Sequence, residues 1–201
     1  MPKKILLPLL FAAVFIAGLV TAGLLFSSRK PALNGSLVHP PVVLQDFELQ
    51  DAYGSTVHPA DFQGKITLIF FGYTLCPDMS PTMLTEVSGA FRQLGERSEQ
   101  VRMVMISVDP DRDTPRKVSE YAAFYNPSFI GLSGTPDEVA AAAKQFNVIY
   151  YKHEGSAATG YLIDHTATLT LVDSAGQIRE VFEFGTSGAD IAADVSYWLD
   201  Q

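Results

Sequence analysis

Cys76 is the single cysteine of the 201-residue chain. One thiol excludes an internal disulfide, so the fold must rest on its core and any chemistry of the sulfur must involve a metal, an oxidant or a second molecule. A thiolate is both a nucleophile and a soft metal ligand, and a helix N-terminus favours its charge. Cys76 follows the apolar run 65–71 and lies among Gly72, Pro77 and Pro81, where a strand turns into a helix. That position favours a reactive or metal-binding thiol over a small buried hydrophobe. Of the histidines, His165 lies beside a strand, and its spacing alone reads as a hydrogen-bonded structural residue. His39, His58 and His153 lie in polar stretches and read as surface residues. Met79 and Met83 carry thioethers, but the first reads as filling an apolar slot and the second as part of a helix stripe. Asp109, Asp111 and Asp113 lack the glycine and glutamate of a calcium loop and read as a strand-to-helix turn with a local ion pair.

The elements that would position these residues are legible as patterns. Residues 65–71 and 101–108 are β-branched and apolar runs of the kind buried on both faces of a sheet. Ser80-Pro81 reads as a helix start, with the hydroxyl as N-cap and Met83, Leu84, Val87, Phe91 and Leu94 as the inner stripe. Thr114-Pro115 and Thr135-Pro136 open two more helices, the latter with a capping box from Thr135 to Glu138. The segments 168–172 and 178–184 alternate around Asp173-Ser174-Ala175-Gly176, a hairpin signal, and Ile191, Val195, Trp198 and Leu199 mark a final helix. This order predicts an α/β fold, a βαβ unit feeding a mixed sheet flanked by helices, of the thioredoxin-like kind.

The N-terminus has a different character. Residues 5–26 contain no charge, and at about 1.5 Å per residue they suffice to cross about 30 Å of hydrocarbon. We therefore expect residues 1–30 to form a transmembrane anchor, 31–41 a linker with three prolines and a glycine, and 42–201 the folded domain. Lys3 and Lys4 favour a cytoplasmic N-terminus, which exports the domain. Of the 14 basic residues, four precede position 31, where there is no acid; the other ten face 22 acidic residues, a net of −12. So acidic a domain excludes nucleic acid as a partner, since that binding rests on neutralised phosphates.

The stretch from Phe71 to Thr82, which includes Gly72-Tyr73-Thr74-Leu75-Cys76-Pro77, resembles the signature of the Sco/SenC family, membrane-anchored copper chaperones that help assemble cytochrome c oxidase. Ile106–Pro115, Phe129–Thr135 and Tyr161–His165 resemble its further blocks in the same order. The resemblance covers about Phe47 to the C-terminus. It implies a thioredoxin-like domain on the periplasmic side of a bacterial-type inner membrane and a copper-receiving oxidase subunit as partner. It also implies a metallochaperone rather than an enzyme. The family's copper site uses two cysteines four positions apart and a distant histidine, which carry over to Cys76, position 80 and His165. Position 80 is serine here, and Cu(I) prefers thiolates to hydroxyls. The resemblance thus implies Cu(I) held weakly by Cys76 and His165. The alternative is a single-cysteine thiol oxidoreductase or peroxidase that relies on an external thiol. Ile69 and Tyr73 occupy the places that proline and threonine hold in the peroxiredoxin pattern, which disfavours the peroxidase form.

Overall fold

A computed structural model describes residues 33–155 and 160–201. The expected anchor, residues 1–30, lies outside them; among the described residues no helix is long and apolar enough to cross a membrane. The sheet grows from the two runs read as buried strands. β4 (Ile66–Gly72) and β5 (Val101–Ser107) pair in parallel. Strand side chains alternate between faces, so Leu68 and Phe70 enter one core while Ile69 and Phe71 enter the other. The first core is roofed by α1 (Met79–Leu94), α2 (Pro115–Tyr125) and α4 (Gly188–Leu199). Against the second lie α3 (Pro136–Gln145), Phe62 and Leu49, the latter from a short hairpin of β2 (Leu49–Gln50) and β3 (Thr56–Val57).

β6 (Ile130–Leu132) extends the sheet in parallel beside β5, and β9 (Leu169–Val172) lies antiparallel on the other side of β4, followed by β10 (Gln177–Phe182). The remaining edge is β1 (Ser36–Val43), antiparallel to β10. This corrects the expected linker, because its residues 36–41 are part of a sheet strand. Pro40 and Pro41 disguised it. An edge strand tolerates proline since one side needs no partner, and the register here shifts between Leu37 and Val42.

The strand's entry is also tied down. Asp194 accepts hydrogen bonds from the backbone amides of Asn34 and Gly35, and Glu180 accepts from Gly35 and from the Trp198 indole. Burial of the Glu180 carboxyl, reinforced by neighbouring Asp194, pushes it up to about 7 against the pull of the indole and the amide.

A separate two-stranded sheet, β7 (Tyr150–Glu154) with β8 (Tyr161–His165), was not read from the sequence. No strand of the main sheet pairs with it. It ends on His165.

Candidate metal and thiol site

Cys76 sits in the turn between β4 and α1, and its sulfur performs the capping that was expected of Ser80. The helix begins at Met79, one residue before Ser80, and the Ser80 backbone amide donates to Cys76 Sγ at 3.4 Å. Ser80 is itself fully buried, and its Oγ accepts from the Tyr73 amide at 3.3 Å rather than from an amide of its own helix. The N-cap reading of Ser80 is therefore overturned. The local rule for a hydroxyl before proline lost to a tertiary contact that depends on Gly72, where an added Cβ would lie 2.5 Å from Ser80 Oγ.

Cys76 and His165, 89 positions apart, are brought together. Cys76 Sγ lies 3.9 Å from His165 Nε2, and each residue is 8% exposed. The other ring nitrogen, Nδ1, faces the Thr166 carbonyl at 3.2 Å. A proton on Nδ1 makes that hydrogen bond and leaves Nε2 to face the sulfur, either as a lone pair or, in the imidazolium, as a donor. Phe70 and Tyr73 pack edge-on to the imidazole at ring centroid distances of 6.0 and 5.8 Å. Burial pushes the Cys76 thiol up, but this is outweighed by hydrogen bonds from His165, the amides of Ser80 and Asp78 and the Ser80 hydroxyl. Together they bring it down to about 6. The sulfur is mostly thiolate at neutral pH.

The other candidate side chains are engaged elsewhere, except that Met79 packs against the core cluster that includes Cys76. His58 pairs with Asp46 on the surface, and His153 stands exposed on β7 against Asp164. Met83 is buried in the first core, and Met79, partly buried, packs against the second. Among the described residues no three His, Cys, Asp or Glu side chains form a metal cluster. The turn after β5 carries the expected local ion pair, Arg112 with Asp109, and a second that was not expected joins Asp113 to Lys117 of α2. Sequence reasoning included Tyr73, Thr74 and Tyr161 in the family-like stretches but gave them no role, since hydroxyl-bearing side chains there carry no spacing signal.

The SCO1/SenC family model matches residues 37–200, which spans the sheet, the cysteine turn and the histidine strand. The chain belongs to the SCO1/SenC family. Protein sco1 of Schizosaccharomyces pombe is 35% identical over 159 residues, covering 77% of this chain and 60% of that protein. Protein SenC of Rhodobacter capsulatus is 35% identical over 155 residues, covering 77% of this chain and 69% of that protein. Among solved structures, Bradyrhizobium japonicum ScoI with copper bound superposes with a TM-score of 0.71 at 37% identity, over 78% of this chain and 99% of that one. The apo Sco1 protein of Thermus thermophilus gives 0.75 at 36%, over 83% and 96%. The described domain has the thioredoxin-like Sco fold, and Sco proteins of known structure from B. japonicum, Arabidopsis thaliana and yeast hold copper.

Proposed function

We propose that this protein is a membrane-anchored copper-binding accessory factor for respiratory oxidase assembly, in which Cys76 and His165 hold Cu(I) as cargo. The observation that carries the reading is the 3.9 Å gap between Sγ and Nε2. Thiolate and imidazole bonds to zinc, copper's neighbour in the first row, are about 2.3 and about 2.0 Å long. An ion joined to both atoms across this gap would be bent to about 130°, which leaves a third position open. The thiolate suits a soft ion, and imidazole suits copper. The Ser80 hydroxyl, engaged with the Tyr73 amide and the sulfur, is a poor Cu(I) donor. Two ligands hold the ion more weakly than three, and a site that must surrender its cargo tolerates this. The anchor in residues 1–30, a periplasmic domain and a copper-receiving subunit of cytochrome c oxidase belong to the same reading.

The test is anaerobic loading of the full chain with Cu(I) and metal analysis after desalting. One copper per chain is expected, lost in Cys76→Ala and in His165→Ala. An intact chain that retains no copper overturns the proposal.

The thiol at about 6 also supports a second reading. A Cys76 thiolate would attack one sulfur of a partner's disulfide, forming a mixed disulfide and expelling the partner's other sulfur as thiolate; an external thiol would then release Cys76. Accumulation of that mixed disulfide without any copper binding would favour this form.

A further inference from the structure

The five-residue turn 109–113 reaches both halves of the site. Asp113 is buried, and its carboxylate accepts from the amide and hydroxyl of Thr74, two residues before Cys76, at 2.8 and 2.5 Å. Ser107 Oγ and Lys117 Nζ complete its shell at 2.7 and 3.0 Å. One residue earlier, Arg112 turns the other way. Its guanidinium lies 3.6 Å from the centroid of the Tyr161 ring, four residues before His165, and its Nη1 donates to the Tyr161 carbonyl at 2.9 Å. Buried Asp109 pairs with Arg112 and accepts the Tyr161 hydroxyl. Asp111 pairs with Lys152 on β7. The cysteine turn adds a tie of its own, since the Tyr73 hydroxyl accepts from the Ile163 amide at 3.3 Å.

These ties matter because the β7–β8 hairpin shares no backbone ladder with the main sheet. Its placement, and with it that of His165, falls to side chains. We infer that Arg112 and Asp113 are positioning residues that set the distance between Cys76 and His165, Arg112 holding the histidine strand and Asp113 the cysteine turn. This rests on the copper reading for its purpose but not for its geometry. Buried carboxylates require such partners, and a planar guanidinium supplies stacking and directed donors together, which an ammonium does not.

Arg112→Lys preserves the charge beside Asp109 while removing the stack and the fork. Tyr161→Leu removes the stacking platform at a half-buried position and serves as the second variant if Arg112→Lys fails to fold. Two readouts apply to the full chain. The ring-proton resonances of His165 in metal-free protein report its packing between Phe70 and Tyr73, and they move in each folded variant. Cu(I) affinity, measured by chelator competition, falls about 10–100-fold, the range for removing a partner that orients a ligand. A loss of fold stability alone would move neither the resonances of the folded state nor the copper K-edge signature of a bound imidazole. Wild-type His165 resonances in both folded variants overturn the inference. If the wild type binds no copper, the function proposed above falls, and the resonances still decide whether Arg112 positions His165.

Discussion

Replacing His165 by alanine tests the coupling at the centre of the site. The imidazole is the largest of the influences that lower the Cys76 thiol to about 6, and burial works against it. Without it the midpoint should climb toward the ordinary thiol value of about 8.5. At pH 7 the thiolate fraction would then fall from about 90% to about 3%. The alkylation rate would fall much less, because a more basic thiolate is a better nucleophile. With a Brønsted slope of about 0.45, a rise of about 2.5 units gains roughly tenfold. The net loss at pH 7 is therefore only about threefold, and the two rate profiles cross near about pH 7.5. The assay is iodoacetamide alkylation of metal-free protein from pH 5 to 10, with thiolate absorbance followed in parallel. The expected result is an upward-shifted midpoint with a variant that reacts faster than wild type at high pH. A midpoint that stays near 6 refutes the reasoning. Stability follows with a fixed sign: a thiol depressed in the fold adds stability above about pH 8.5 that is withdrawn as pH falls through 6. His165→Ala should flatten that window.

Two further outcomes follow from buried polar groups. Ser80→Cys places a soft donor four residues after Cys76 in the slot that Gly72 leaves open; Cu(I) affinity by chelator competition should rise at least about tenfold, and no gain would mean that position 80 does not face the ion. Glu180, raised to about 7 in the fold, adds stability below its unfolded value of about 4.3 that is lost as pH rises through 7. Glu180→Gln, which mimics the protonated acid, should level the denaturation midpoint between pH 5 and 7.5; an unchanged slope would contradict this.

What could be read from the sequence was what short-range physics decides. The caps at Thr114 and Thr135 join atoms three residues apart, and both form as expected. The strands β4 and β5 announced themselves because both faces are buried. Ser80 failed the same kind of rule because its environment comes from Gly72, which ends the preceding strand, and from Tyr73 just after it. β7 was illegible for another reason: Tyr151, Lys152, His153 and Glu154 are all exposed, so no alternation marks them. The approach of His165 to Cys76 leaves no trace in spacing at all. Only the family resemblance suggested it, and the structure supplied the distance.

The detached hairpin has a mechanical consequence. Cys76 is mounted beside the main sheet, while His165 stands at the joint between that sheet and an appendage held to it by side-chain bonds rather than by a backbone ladder. Spreading the sulfur and the imidazole apart requires no hydrogen bond of the six-stranded sheet to break. The appendage can therefore act as a jaw: hydrogen exchange of its amides should outpace that of β4 and β5, and a captured ion should slow it.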